Sequence, residues 1–535
     1  MRSLPGLGIA FALTLFAAPS TAQEIVTLLR QGNLAAGESI IAIDSPLIDG
    51  RMIDGSRNWL AFVRTVSPST LGQTRRLVTD GSVLASVGDV LADPPARITD
   101  LVNIAGSPSN LAAIVDLDGL APPLPQRARV LLRNGQVVLM TGTPLNASGL
   151  PPETLCRNLY ACGANDRDTV VALVGTGNLE YALVRLVFDY RGVNVQRTVD
   201  LRTWGLLSDG HIVSSIEFAG QAAFAQSVDE SGNWLWRVTA TDGRERLVTR
   251  DRVLLRSGDL APVPGRRIAA LGFATPSNHG LDLNEFGGWA SVVKLTGDAG
   301  TDTLLIKNGT KLAQEGDVLP ALAPDALLDF DSTCVRISSS GHVYWVARTN
   351  AGFTTGFSLM RDLDVVLRAV NGNAIDDHNF EITPDGRYLL ARVILNGVRI
   401  LQRIDLGASV PIPGCGSNPG TLRHTAGLML VGHTVRLTLD GPAPLGALAR
   451  IHCSREPAFP GPCGIFTPFG EVLIDRRRLL TTLVAGVVTG GAVHLDLALP
   501  NDPALIGFEL FSQGSFRSPA GIIRTNGLHL TLGAP

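Results

Sequence analysis

Leu84-Ala85-Ser86-Val87-Gly88-Asp89-Val90-Leu91 recurs almost unchanged as Leu312-Ala313-Gln314-Glu315-Gly316-Asp317-Val318-Leu319, with six of eight residues identical. In both copies another glycine, Gly81 or Gly309, lies seven residues before the glycine of the segment. A third copy of this spacing runs from Gly135 to Gly142. Short apolar runs separated by glycines predict β-hairpins, because tight turns between strands need residues that tolerate a positive φ.

A five-residue marker of two apolar residues, two variable residues and glycine extends this repeat along the chain. Its starts are separated by 49, 54, 123, 51 and 54 residues, and the long gap has room for two units with an eroded marker near Leu186-Val187-Phe188-Asp189. With a last unit ending near Leu401, the spacing predicts about seven units. The copies are Leu28-Leu29-Arg30-Gln31-Gly32, Leu77-Val78-Thr79-Asp80-Gly81, Leu131-Leu132-Arg133-Asn134-Gly135, Leu254-Leu255-Arg256-Ser257-Gly258, Leu305-Ile306-Lys307-Asn308-Gly309 and, more weakly, Leu359-Met360-Arg361-Asp362.

Most units also contain a polar turn followed by alternating apolar residues, as in Asp54-Gly55 before Trp59-Leu60-Ala61-Phe62-Val63. Two hairpins per unit make a four-stranded sheet, and about seven such sheets packed radially predict an all-β protein with a β-propeller. A β-solenoid is the alternative, with shorter and more uniform rungs. Asp209, Glu285, Ser340 and Asp385 are interpreted as equivalent turn residues. Trp59, Trp234, Trp236, Trp289 and Trp345 are interpreted as blade core, with a sugar-stacking platform as the second interpretation.

Thr383-Pro384-Asp385-Gly386-Arg387 is similar to the S-P-D-G-[RK] turn of TolB and WD40-like blades. The region from Glu24 to about Gly407 resembles the degenerate propeller repeats of secreted bacterial proteins. This resemblance implies a propeller fold, and propellers host both binding proteins and enzymes.

The repeat stops after Gly407, and a turn-rich linker, residues 408–420, is expected before a new domain. Alternating segments such as Thr434-Val435-Arg436-Leu437-Thr438-Leu439 predict a C-terminal β-sandwich over 421–535. This region resembles an uncharacterised C-terminal module of exported Gram-negative proteins. The resemblance rests on Gly414-Cys415-Gly416-Ser417, on the segment from Asp502 to Gln513, and on Thr525-Asn526-Gly527-Leu528.

The N-terminus predicts export. Arg2 precedes an apolar run from Leu4 to Ala18, and Ser20-Thr21-Ala22 offers the small residues that a signal peptidase cleaves after, so residues 1–22 are expected to be a signal peptide and 23–407 the propeller. No later apolar run is long enough for a transmembrane helix. We therefore expect a secreted, extracellular or periplasmic protein without a transmembrane segment.

Export permits disulfides, and six cysteines allow 15 complete pairings. Spacing favours two local bridges, Cys156 with Cys162 and Cys453 with Cys463, and leaves Cys334 and Cys415 unassigned. A zinc site is the alternative, but neither pair has the spacing of zinc ligands. We therefore expect no metal and no cofactor.

The net charge of the chain and the absence of known catalytic motifs exclude several classes of function. A net charge of −3 lacks the positive field that nucleic-acid binding requires. No nucleophile elbow, zinc-protease helix, Walker loop or dinucleotide fingerprint is present. His342, His494 and His529 are interpreted as solvated or core-edge residues, and Asp376-Asp377-His378-Asn379 as a connecting loop rather than a calcium site. The sequence favours a non-enzymatic protein that binds an extracellular glycan or protein through an unidentified face; the alternative is a polysaccharide hydrolase or lyase with carboxylates in the propeller funnel.

Overall fold

The computed structural model describes residues 25–533 apart from 44–50, 53–58, 106–109, 190–194, 217–227, 272–279, 350–356, 369–372 and 459–462, and gaps of one or two residues elsewhere. The predicted signal peptide lies outside the described residues. Those residues form β-strands and three short 3-10 turns, with no α-helix, which confirms the all-β prediction. Nor does this part of the chain contain a helix with the length and hydropathy to cross a bilayer. The 3-10 turns are Ala299–Thr301, Arg476–Arg478 and Pro503–Leu505.

After β1 (Ile25–Arg30), successive antiparallel sheets follow one another along the chain, each built from neighbouring strands. The first sheet contains β2 (Leu34–Ala35), β3 (Glu38–Ile43), β4 (Arg51–Met52), β5 (Trp59–Val66), β6 (Gln73–Thr79) and β7 (Ser82–Ser86). The second contains β8 (Val90–Ala92), β9 (Pro95–Ala105), β10 (Ala112–Asp118), β11 (Arg127–Arg133) and β12 (Gln136–Met140). The third contains β13 (Asn158–Ala164), β14 (Thr169–Gly177), β15 (Glu180–Phe188) and β16 (Val195–Arg202).

Three further sheets continue this order. The fourth contains β17 (Val213–Ile216), β18 (Leu235–Ala240), β19 (Glu245–Thr249) and β20 (Val253–Arg256). The fifth contains β21 (Ile268–Leu271), β22 (Leu281–Leu283), β23 (Trp289–Leu295), β24 (Thr303–Lys307) and β25 (Thr310–Gln314). The sixth contains β26 (Val335–Ile337), β27 (Val343–Arg348), β28 (Phe357–Arg361) and β29 (Asp364–Arg368).

The seventh sheet joins the two ends of this region. It contains β30 (Asn373–Ile382), β31 (Tyr388–Leu395) and β32 (Val398–Asp405), and its fourth strand is β1, paired with β32 from Ile25↔Ile404 to Arg30↔Ile400. Strands of the last sheet also contact β3 and β4 of the first. The ring is thus closed by its N-terminal strand, and the seven sheets formed by the described residues are compatible with the predicted number of units.

A glycine ends the outer strand of five sheets and turns the chain into the next one. Gly88, for example, has φ +102° and donates its N–H to the Ile98 carbonyl at 2.7 Å, at the inner strand of the following sheet. The marker copies at Leu28 and Leu254 lie on such outer strands, whereas Leu77, Leu131 and Leu305 lie on third strands. Assigning all copies to one motif was therefore wrong, because a glycine can follow the third strand or the outer strand of a unit, as Gly135 and Gly142 do in the second sheet. The five glycines are Gly32, Gly88, Gly142, Gly258 and Gly316.

Buried polar side chains join neighbouring sheets at the turns between their first and second strands. Asn110 Nδ2 donates to the Asn165 carbonyl at 3.0 Å, Asn165 Nδ2 to the Asp229 carbonyl at 3.3 Å, and Asn284 Nδ2 to the Ser338 carbonyl at 2.7 Å. Buried amides that lost these acceptors would remain desolvated and unpaired, so the turns fix the spacing of the sheets.

The C-terminal residues form two larger sheets, ordered β33-β42-β41-β36-β39 and β34-β35-β40, and a hairpin. Apolar side chains of both sheets share one core that includes Leu437, Ile451 and Leu530, as a two-layer arrangement requires. The strands are β33 (Ala408–Ile412), β34 (Thr421–Ala426), β35 (Thr434–Asp440), β36 (Leu448–Ser454), β37 (Ile465–Thr467), β38 (Gly470–Val472), β39 (Leu479–Val487), β40 (Val493–Ala498), β41 (Glu509–Ser518) and β42 (Gly521–Thr531).

The expected linker is partly a strand. Residues 408–412 form β33 and pair with β42, because the chain passes directly from the last propeller strand into the C-terminal sheet. Gly407 makes this passage with φ +64°, and a Cβ there would lie 2.2 Å from the Met429 carbonyl oxygen. Leu428 and Leu430 of the C-terminal region pack into the core of the last propeller sheet. The two regions are therefore closely packed.

Both expected disulfides are wrong. The structure joins Cys415 to Cys463 and leaves Cys156, Cys162 and Cys453 as buried thiols. Cys156 and Cys162 are separated by an extended stretch leading into β13. Six residues of extended chain span roughly 20 Å, whereas the Cα atoms of a disulfide lie within about 7 Å of each other. Cys453 points into the C-terminal core, where its sulfur accepts a hydrogen bond from Ser512. Sequence spacing ranked local pairs first and could not detect a bridge between distant loops.

Candidate functional site

A cavity of about 400 Å³ opens where the propeller meets the C-terminal region. The propeller contributes turns of its fifth and sixth sheets, and the C-terminal region contributes β33, β34 and β42. Because neither region surrounds the cavity alone, docking of the two creates it. The lining residues are Lys307, Asn308, Ser340, Gly341, His342, Asp362, Ser409, Pro411, Thr421, Leu422, Arg423, His424, Thr425, Asn526 and Leu528.

On the propeller side, tight turns place the polar groups. Asn308 and Asp362 both have φ +49° at the turns that follow β24 and β28. Each is the fourth residue of its copy of the repeat marker. Ser340 and His342 lie in the turn between β26 and β27, where the Ser338 hydroxyl contacts that of Ser340 at 2.8 Å. Turn chemistry repeated along the ring thus brings these side chains to one rim.

Asp362 is the centre of a buried network. Its Oδ2 is 2.5 Å from His342 Nδ1, while its Oδ1 accepts hydrogen bonds from Lys307 Nζ at 3.0 Å and the Val343 N–H at 3.1 Å. Burial alone would raise the pKa of Asp362, but His342, Lys307 and the Val343 N–H hold that pKa well below its ordinary value. Asp362 is therefore a carboxylate, and it fixes the orientation of the His342 ring.

The hydrogen bonds of the two histidines assign their tautomers. A carboxylate only accepts, so His342 carries its proton on Nδ1 and leaves Nε2 bare. His424 Nε2 donates to the Ala426 carbonyl at 3.0 Å, which leaves its Nδ1 bare. Burial lowers the pKa of both imidazoles, that of His424 strongly, so both are neutral near pH 7. The rings are in edge-to-face contact with centroids 5.2 Å apart.

Three buried polar atoms at this cavity have no hydrogen-bond partner among the described residues. They are His342 Nε2, His424 Nδ1 and Ser409 Oγ, two acceptors and one hydroxyl. Unpaired buried polar atoms are rare in folded proteins because each retains its desolvation cost. All three belong to residues that line the same cavity, which makes this cavity the candidate site for a ligand, an ion or water.

The structure separates the predicted turn residues. Ser340 lines the cavity, and Asp385 lies in the turn between β30 and β31, where its Oδ1 accepts from the Arg387 N–H at 2.9 Å. Asp209 is not equivalent to them, because it precedes β17 and pairs with Arg246 at 2.8 Å. Glu285 lies outside the described residues.

The predicted histidine and tryptophan roles are partly right. His342 is buried at the cavity, not solvated, whereas His494 is exposed and contacts Thr438 at 2.9 Å. His529 stacks on Phe511 with centroids 4.4 Å apart. The five tryptophans interpreted as blade core are all buried. Trp204, which the sequence analysis did not single out, is 62% exposed.

Charged residues on the inner strands are already engaged. Arg336 Nε donates to Glu381 Oε1 at 3.0 Å, and Asp282 Oδ2 accepts the Ile337 N–H at 2.8 Å. The segment from Asp376 to Asn379, expected to be a loop, lies in β30 at a register shift between Ile375 and Phe380. The carboxylates described on these strands therefore serve packing between sheets.

No local pattern identified the cavity. His342 and His424 belong to different structural regions, and only docking of β34 against the sixth sheet brings their rings together. The signal that the sequence offered was Asp362. It is the fourth residue of its marker copy, where two other copies have an asparagine followed by glycine, Asn134 and Asn308. Recognising it requires knowing what packs over that turn.

No protein-family model and no curated protein matches this chain. Solved structures with a similar fold include the β-propeller domain of the Trilobed protease from Pyrococcus furiosus, with 9% identity, 68% of this chain and 93% of that chain covered and a TM-score of 0.33. Trypanosoma rangeli sialidase in complex with the inhibitor DANA has 10% identity, 96% coverage of both chains and a TM-score of 0.29. Chaetomium thermophilum Sqt1 bound to the N-terminus of ribosomal protein L10 has 9% identity, 64% and 93% coverage and a TM-score of 0.24. At these values the likenesses do not indicate what this chain binds or does.

Proposed function

We propose that this protein is exported and binds a glycan in the cavity between the propeller and the C-terminal region. The observation that carries the proposal is a cavity of about 400 Å³ in which six of the fifteen lining residues have hydroxyl or amide side chains, with one hydroxyl, that of Ser409, left unpaired. Export is supported by the N-terminal sequence of residues 1–22 and is compatible with the Cys415–Cys463 disulfide.

The lining suits a sugar. Ser340, Asn308 and Thr421 offer neutral donors and acceptors to hydroxyl groups, whereas Pro411 and Leu528 offer apolar surface to the C–H faces of a ring. Ligand sites typically combine apolar walls with a few placed polar groups in about 300–1,000 Å³. A volume of about 400 Å³ is adequate for one or two sugar residues, and it is too small to accept a folded protein surface.

The test is a glycan array probed with mature protein, followed by calorimetry on any sugar that binds. We expect Ser340→Ala and Thr421→Val each to weaken binding about five-fold, because each removes one hydrogen bond of about 1 kcal/mol. Thr241→Val, on an exposed turn distant in sequence from the lining residues, is the matched control and should not change affinity. Absence of glycan binding, or equal affinity in all variants, would contradict the proposal.

One observation favours a hydrolase as the second candidate. The Asp362–His342 pair leaves Nε2 unprotonated at the cavity, as a general base requires. Glycosides and sugar esters incubated with mature protein should be cleaved, and cleavage should fall at least 100-fold in His342→Gln. Saturable binding without turnover would leave binding as the function.

A further inference from the structure

The two bare imidazole nitrogens need an electron-pair acceptor. His342 Nε2 and His424 Nδ1 both carry lone pairs, lie at the same cavity and receive no hydrogen bond from the described residues. Two lone pairs buried near each other repel unless a proton donor or a cation lies between them. The nearby Lys307 and Arg361 do not fill this role, because Lys307 donates to Asp362 and Arg361 donates to the Gly427 carbonyl.

The opposite nitrogen of each ring has the partner that metal-binding histidines have. Imidazoles that ligate a metal almost always donate their other N–H to a carboxylate or a backbone carbonyl, which fixes the tautomer and aims the lone pair at the ion. His342 donates to the Asp362 carboxylate and His424 to the Ala426 carbonyl. We propose that His342 and His424 bind a divalent transition metal ion, probed here as zinc, in the cavity between the two regions.

The separation of the two rings is compatible with such an ion. Two imidazoles on one tetrahedral zinc have centroids about 5 Å apart, because each Zn–N bond is about 2.0–2.1 Å long. The observed centroids are 5.2 Å apart with ring planes at 70°. Imidazole nitrogen is also a ligand that suits zinc, copper and nickel, whereas magnesium and calcium prefer oxygen ligands.

The rest of the coordination shell is open. No three His, Cys, Asp or Glu side chains are grouped to hold a metal ion within the described ranges, so the protein supplies two nitrogens and the remaining positions go to water, to the unpaired Ser409 hydroxyl or to a ligand. The Asp362 carboxylate, which contacts His342 and pairs with Lys307 at 3.0 Å, places negative charge beside the site, whereas the Arg361 guanidinium disfavours positive charge at His424.

Open positions give the metal a role in the site. Hydroxyl oxygens of a sugar would complete the shell, so the metal would orient the ligand that the neutral side chains surround. This role rests on the proposed function, whereas metal binding itself does not. The competing occupant is one water molecule donating a hydrogen bond to each nitrogen.

The experiment titrates zinc chloride into full-length mature protein freed of metal with EDTA, without any glycan. We expect one zinc ion per chain in the wild type, and at least ten-fold weaker binding in His342→Ala and in His424→Ala. Asp362→Asn, a positioning variant, should weaken binding about 10–100-fold without removing a ligand. His494→Ala, which removes an exposed imidazole, is the matched control and should bind zinc as the wild type does.

A second measurement does not depend on the variants folding. X-ray absorption of the zinc-loaded wild type should show two imidazole nitrogens and oxygen ligands. No zinc binding by the folded wild type, undiminished binding in both histidine variants, or a shell without two imidazoles would each overturn the metal site and favour water. Zinc binding without glycan binding would sustain the metal site and refute the proposed function. Glycan binding undiminished by EDTA would sustain the proposed function and refute the role of the metal in orienting the sugar.

Discussion

At the scale of single residues, Glu471 explains why Gly414-Cys415-Gly416 has its sequence. Its carboxylate accepts N–H hydrogen bonds from Cys415 at 2.9 Å, Gly416 at 2.6 Å and Gly464 at 2.5 Å, next to the Cys415–Cys463 bridge. A Cβ on Gly414 would lie 2.5 Å from the carboxylate. The motif was visible in the sequence, but its acceptor is distant in the chain, so neither the carboxylate nor the disulfide could be predicted from spacing.

Glu471→Gln should lower the free energy of unfolding by about 1–3 kcal/mol at pH 7, because an amide replaces one accepting oxygen with a donor that faces N–H groups. Burial raises the pKa of Glu471, but the three N–H donors lower it below 4.5 overall. The stabilisation is therefore present above pH 4.5 and is lost as the pH falls through the lower folded pKa. Urea unfolding of the wild type and of Glu471→Gln at pH 7 and pH 3 measures this stabilisation. If the free energies of unfolding of the two proteins differ by the same amount at both pH values, the prediction is contradicted.

At the scale of elements, the glycine that ends the outer strand of five sheets is more informative than the leucine marker. The seven-residue glycine spacing predicted the hairpins correctly, since Asn134-Gly135 and Asn308-Gly309 both turn with positive φ between third and fourth strands. The marker misplaced the copies at Leu28 and Leu254, because apolar pairs before glycine occur both on third strands and on outer strands. Backbone conformation distinguishes these strands, whereas residue type does not.

Gly88→Ala should destabilise the protein by about 1–3 kcal/mol, since φ +102° is unfavourable for a residue with a Cβ. No atom lies within 4 Å of the added Cβ, so the cost is that of the backbone. Gly300→Ala, where φ is not positive, is the matched control and should change stability little. Urea denaturation compares the two, and equal stabilities would show that the turn tolerates a side chain.

At the scale of the whole molecule, the sequence predicted the ring and a C-terminal β-domain but not how the two pack against each other. Periodicity follows from each unit burying its apolar faces against the neighbouring units, so it is readable in one chain. The cavity depends on Gly407 turning the chain and on Leu428 and Leu430 entering the last propeller core, which no periodic pattern encodes. This is why His342 was interpreted as a solvated or core-edge residue and not as part of a site.

A mature chain beginning at Asn33 should lose the strand that closes the ring. β1 pairs five residues with β32, and without them β32 becomes an unpaired edge. At roughly 1 kcal/mol per lost hydrogen bond we expect a melting temperature lower by about 10 °C and a tendency to self-associate. A chain beginning at Ile25 is the control. Equal melting temperatures would show that the ring does not depend on β1.

The site between the two regions is tested most directly by a crystal structure of the mature protein soaked with zinc chloride and an oligosaccharide mixture. We predict anomalous density for one ion between His342 Nε2 and His424 Nδ1, with sugar hydroxyls within hydrogen-bond distance of Ser340 and Thr421. Sugar bound in the central channel or on another face, with only water between the two histidines, would contradict the account.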